Sequence, residues 1–219
     1  MTDARVRPTR AEIDLGAISH NVGVVRAVIA EGAARVAPKL YGVVKADAYG
    51  HGAVPVGRAL AAAGVDGLCV ALVEEGVELR DAGVGVPVLV MSGVYGDGIE
   101  AAVAHALTPV IHDPSLVDAL VAYRPRGEKV RVHLKIDTGM ARLGVTLDRV
   151  ATVSEKLAAA SHVEVAGVMT HFANADCDDP SYTYDQLGRF EEARAVMRSH
   201  GLDPRVVHAA NSGAAFRVE

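Results

Sequence analysis

Short apolar, β-branched runs alternate along the whole chain with alanine-rich stretches whose apolar positions recur at helical spacing. Runs of strand length stand at "LYGVVK" (40–45), "GLCVAL" (67–72), "VPVLVM" (86–91), "LTPVI" (107–111), "VRVHLKID" (130–137), "VEVAGVMTH" (163–171) and "RVVHAA" (205–210). An opening strand is also expected near Thr9–Asp14. Between these runs lie helical patterns: "LGAISHNVGVVRAVIAEG" with Gly32 as its stop, "AVPVGRALAAAG", "VEEGVELRDAG", "DPSLVDALVAYR", "DRVATVSEKLAAAS" and "YDQLGRFEEARAVMRSHG". The final "NSGAAFRVE" reads as the opening of another helix.

Strands alternating with helices of this length make βαβ units, a parallel sheet and right-handed crossovers. Steady alternation with no proline- or serine-rich linker predicts one α/β domain over residues 1–219, a (β/α)8-type TIM barrel. No G-x-G-x-x-G opens the first helix, so the dinucleotide-binding open sheet loses its best support. A barrel needs eight strands and about 250 residues. Only seven barrel strands are legible here, so the barrel is expected to be incomplete at its C-terminal end.

In such barrels the chemistry collects at the C-terminal ends of the strands. The runs above are followed there by "KADAYGHG", "KIDTGMARLG", "THFANAD" and "HAANSG". Alternation in "VRVHLKID" puts Val130, Val132, Leu134 and Ile136 on one face and Arg131, His133, Lys135 and Asp137 on the other. With the apolar face against the helices, the charged row points into the barrel, where it needs partners or a ligand.

Composition narrows the classes. With 22 Lys+Arg against 27 Asp+Glu the formal net charge is −5, and no basic run suggests a nucleic-acid partner. No stretch is long and apolar enough to span a membrane, and the N-terminus has no secretory signal. Cys69 and Cys177 stand in unlike contexts and read as free thiols, consistent with the cytoplasm.

Each candidate residue has a plain reading beside a functional one. Lys45 is either a surface lysine or an amine in a barrel mouth, able to form a Schiff base with a carbonyl such as that of pyridoxal phosphate. Tyr49 and His51 fit loop packing as well as a site. Asn211 and Ser212 are good N-caps, and a helix start at the end of strand seven is also a natural phosphate site. His171 alone suits a core histidine. Arg142 suits an organic anion. The histidines are scattered, without H-x-H or H-E-x-x-H, so no catalytic metal is expected.

In order and spacing, "VVKADAYGHG", "KIDTGMARLG", "THFANAD" and "HAANSG" resemble the barrel domain of the bacterial alanine racemases, pyridoxal-phosphate enzymes of fold type III. The resemblance runs from about Pro8 to Phe216. It implies interconversion of L- and D-alanine, supplying D-alanine for peptidoglycan. Carried over by motif position, Lys45 is the Schiff-base lysine and the base on one face of the α-carbon, and Tyr49 contacts the cofactor phosphate. Lys135, carried as a carbamate, holds Arg142, which bonds the cofactor's phenolic oxygen and lies near the substrate carboxylate. His171 joins the network around the ring, and Asn211 and Ser212 lie at the phosphate end. Asp47 and His51 match the motif and are given only loop structure.

Members of that family are homodimers with a C-terminal β-domain, whose tyrosine serves as the second base across the interface. That domain, and the strand-eight "R-x-G-I" segment, have no counterpart in this sequence, so the chain is expected to lack the second base. The alternatives are a non-enzymatic pyridoxal-phosphate-binding barrel and a racemase for serine or a broader set of amino acids.

Overall fold

In the computed structural model, residues 9–31, 38–125, 127 and 129–217 are described. Seven parallel strands form one sheet in sequence order: β1 (Tyr41–Val43), β2 (Gly67–Val70), β3 (Val88–Val90), β4 (Thr108–Ile111), β5 (Val130–Lys135), β6 (Val163–Met169) and β7 (Val206–His208). Sequential order with every pair parallel is the βαβ topology expected from the alternation. The helices are α1 (Leu15–Glu31), α2 (Lys45–Gly50), α3 (Ala53–Ala62), α4 (Val73–Asp81), α5 (Gly98–Ala104), α6 (Pro114–Ala122), α7 (Val150–Ala159), α8 (Ser181–Ser199) and α9 (Ser212–Arg217). The sheet curls so far that Tyr41 on β1 stacks on His208 at the end of β7, ring centroids 6.3 Å apart. This is a partial TIM barrel; among the described residues no strand bridges β1 and β7.

Two apolar layers follow from strand alternation. Leu68, Val70, Val88, Val90, Val132, Leu134 and Val168 face the helices and join Leu79, Leu120, Leu157, Phe190 and Met197 in the main core. Cys69, Leu89, Val110 and Met169, with Tyr41 and Met91, fill the barrel interior. The Cys69 thiol is pushed up to about 12 by burial, which keeps it protonated and inert.

Two expectations need correction, and one helix was not expected. Residues 9–14 form no strand. Asp14 instead caps α1, its Oδ1 accepting from the Ala17 N–H at 3.0 Å, and Ile13 stays exposed for want of a sheet neighbour. The first barrel strand ends at Val43, so Lys45 stands in the turn beyond the ladder. Helix α5 carries no legible signal because seven residues are too few to display a 3.6-residue period; Ile99 and Ala102 pin it to the core. Gly32 lies outside the described residues.

Candidate active site

Lys45 opens a turn of unusual hand. Ala46, Asp47, Ala48 and Tyr49 have φ of 50°, 53°, 51° and 56°, four successive left-handed residues, none a glycine. Each costs about 1–2 kcal/mol relative to the right-handed form, so the surroundings must over-determine the turn. They do. The Ala48 N–H donates to Val44 O at 2.9 Å, Gly52 N–H to Asp47 O at 2.9 Å, and Ala53 N–H to Asp47 Oδ1 at 2.6 Å. From α4, Glu75 Oε1 accepts from the Ala46 N–H at 2.7 Å. His51 Nδ1 lies 2.9 Å from Ala48 O. Gly50 and Gly52, at φ 81° and 91°, carry the chain out. The turn leaves Lys45 half-buried with its Nζ 5.9 Å from the Tyr49 ring centroid, and Tyr49 exposed at the mouth.

The loop after β5 folds back on its own strand. The Val145 N–H donates to Lys135 O at 2.8 Å and the Asp137 N–H to Val145 O at 3.0 Å. Asp137 Oδ1 takes the N–H groups of Gly139 and Ala141, both at 3.0 Å. Helix α8 grips the same loop from outside. Tyr182 Oη donates to Gly139 O at 3.0 Å, Gln186 Nε2 to Thr138 Oγ1 at 3.1 Å, and Arg189 Nη1 to Thr138 O at 2.9 Å. Gln186 also donates to His171 O at 3.2 Å and accepts from Ala173 N at 2.9 Å, tying the loop after β6 to the loop after β5. These contacts hold Arg142 at the mouth, its side chain exposed.

Lys135 is 6 % exposed on the inner face of β5 and has no hydrogen-bond or ion-pair partner among the described residues. Burial first, then the Arg142 charge and Lys45, lower its pKa, with Asp137 acting the other way. His171 is lowered by burial and then by Lys135, Arg142 and Lys45. The charges of Lys45 and Arg142 thus act on both Lys135 and His171 across the same mouth. Four basic groups stand against one carboxylate, and the Lys135 amine has no protein acceptor among the described residues. This donor set fits a bound organic anion.

Deeper inside, His133 and His208 sit side by side, Nδ1 to Nε2 at 2.9 Å, both kept neutral by burial at about 3 and about 4. The expected inward row of β5 is present for His133 and Lys135. Arg131 instead reaches the opposite rim, 3.5 Å from Glu164. After β7, Asn211 caps α9 as expected: its Oδ1 accepts from the Ala214 N–H at 3.0 Å, and Ser212 is the exposed first residue of that helix.

Residues 13–219 match the family model described as "Alanine racemase, N-terminal domain". The chain belongs to the alanine racemase family. An alanine racemase of Sorangium cellulosum is 47% identical over 219 residues, which are 97% of this chain and 57% of that protein. One from Symbiobacterium thermophilum is 44% identical over 94% of this chain and 54% of its own length. Alanine racemase from a D-cycloserine-producing Streptomyces lavendulae superposes with a TM-score of 0.89 at 35% identity, covering 97% of this chain and 56% of that one. The chain therefore spans just over half the length of the alanine racemases it matches.

Several residues that shape this alanine-racemase-like mouth carry no motif. Glu75 is a plain helix carboxylate until the fold brings it to Ala46. Tyr182, Gln186 and Arg189 stand at i, i+4 and i+7 of α8, a polar stripe on the face turned to the barrel, and that spacing is the one signal they give.

Proposed function

We propose that residues 1–219 are the pyridoxal-phosphate-binding barrel domain of an alanine racemase, a cytoplasmic isomerase that interconverts L- and D-alanine for peptidoglycan. The observation that carries this reading is the gathering of Lys45, Lys135, Arg142 and His171 at one barrel mouth in a chain of this family. When bound, the cofactor supplies an electron sink that acidifies the Cα–H of an attached amino acid. Everything else falls to protein side chains.

Lys45 would hold the cofactor through Nζ, and the same amine would move the proton at Cα of a bound amino acid on one face. Arg142 would orient the cofactor and the substrate carboxylate, its fork matched to planar oxyanions. His171 would lie beside the cofactor ring, and Tyr49, Asn211 and Ser212 would hold its phosphate. Lys135 has its pKa lowered, by burial first and then by the Arg142 charge, so its uncharged, nucleophilic form is reached more readily than in a free lysine. Adding carbon dioxide to it forms an N–C bond and releases one proton, and the resulting carbamate gives Arg142 an anionic partner. Inversion also needs a group on the other face of the planar carbon. We assign that group to the partner subunit of a homodimer. The structure of alanine racemase from Bacillus anthracis carries L-Ala-P, and this chain superposes on it with a TM-score of 0.86 at 32% identity.

Pyridoxal phosphate titrated into the chain should give the absorption band of a lysine-bound cofactor, absent in Lys45→Ala and perturbed by D- or L-alanine. A band indifferent to Lys45→Ala would refute the site. A band perturbed by serine as strongly as by alanine would refute the substrate.

A further inference from the structure

We propose that Glu75 is the positioning residue for Lys45, a carboxylate on α4 that sets the left-handed turn from which the lysine projects. This rests on the reading of Lys45 as the cofactor-bearing residue. One carboxylate takes three backbone N–H groups: Oε2 accepts from Ala71 at 2.6 Å and Leu72 at 3.0 Å, and Oε1 accepts from Ala46 at 2.7 Å. The first two are the ordinary work of an acid in the first turn of a helix, satisfying donors at its own N-terminus. The third is not. It reaches a different βα-loop, to the amide directly after Lys45.

That amide belongs to Ala46, the first of the four left-handed residues. It is the pivot at which the chain changes hand between the ladder of β1 and the turn. At the far end of the turn, Asp47 Oδ1 takes the Ala53 N–H. Two carboxylates therefore brace a strained segment, Glu75 at its first amide and Asp47 from within by reaching across to Ala53. The near one, from outside the segment, fixes the direction in which Lys45 leaves the strand. Because β2 runs straight into α4, Glu75 also ties this direction to the neighbouring strand, so Lys45 is referenced to the sheet rather than to its own loop.

A charged acceptor for one amide contributes about 1.5–3 kcal/mol, which corresponds to tenfold or more in an equilibrium. Glu75→Gln keeps the shape and loses the charge and one acceptor. Glu75→Asp keeps the charge at the start of α4 and is a methylene too short to serve both loops. Asp113→Ala is the control: it removes a helix cap, the 2.8 Å bond to the Ser115 N–H, far from Lys45.

Two readouts apply to all four proteins: hydrogen exchange of the amides of residues 46–49 without added cofactor, and affinity for pyridoxal phosphate from absorbance titration. Both Glu75 variants should exchange about tenfold faster in that segment and bind the cofactor about tenfold more weakly, with Asp113→Ala matching the wild type. Wild-type exchange at 46–49 in Glu75→Gln, or equal changes in Asp113→Ala, would overturn the proposal. Should the wild type fail to bind pyridoxal phosphate at Lys45 while Glu75→Gln still loosens the turn, the cofactor reading falls and the positioning of Lys45 stands.

Discussion

His133 Nδ1 and His208 Nε2 lie 2.9 Å apart across the inner face of β6, two neutral imidazoles sharing one hydrogen bond below the proposed site. Burial sets their values at about 3 and about 4, with His208 and Arg131 adding to the depression at His133. Both are far below the ordinary value near 6.5, so the unfolded chain binds protons that the folded chain refuses. Stability from this pair is complete above about pH 6.5 and falls as pH drops toward the folded values, by about 1.4 kcal/mol per pH unit for each histidine. His171, lowered by burial and the neighbouring cations, adds in the same direction. Urea midpoints should decline steadily between about pH 6.5 and 5, above the range where most carboxylates titrate. The double variant His133→Asn, His208→Asn should flatten that decline.

The pair exists because Gly167 leaves room for it. A Cβ at that position would lie 2.5 Å from the His133 ring. Gly167→Ala should therefore cost about 1–3 kcal/mol by overpacking. Thermal unfolding measures the loss, and the His133 and His208 ring resonances should separate from their wild-type positions.

Gly144 closes the loop that carries Arg142. At φ 147°, a Cβ there would meet Asp137 N at 2.4 Å, and backbone on both sides cannot yield cheaply. Gly144→Ala should lower stability by about 3 kcal/mol and release the hydrogen bonds between 137 and 145. Accelerated exchange of the Val145 amide is the specific sign.

Gln186 is fully buried, with three hydrogen bonds to two loops. Gln186→Leu fills the space and orphans the Ala173 N–H and the His171 carbonyl at once, while Thr138 Oγ1 keeps Thr170 Oγ1 at 2.8 Å. A loss of about 3 kcal/mol is expected, with the largest exchange increase at Ala173.

The sheet order and the inward row at His133 and Lys135 were legible because strand period and strand-helix alternation are local signals. Asn211 was legible as a cap because capping is local too. Residues 9–14 misled because a short alternating segment is a strand only if a sheet edge receives it. The left-handed turn was invisible: of its four residues only aspartate tolerates positive φ at all readily, and it is the side chains of Asp47 and Glu75 that hold the turn. Glu75 and the α8 stripe act through tertiary contacts, which no spacing along the chain records.

The central claim is that Lys45 is the residue that bears pyridoxal phosphate. Incubation with the cofactor, borohydride reduction and peptide mapping test it directly. The label should fall on the peptide containing Lys45, with Lys135 unlabelled and the Lys45→Ala protein blank. Labelling spread over surface lysines, or unchanged in Lys45→Ala, would contradict the account.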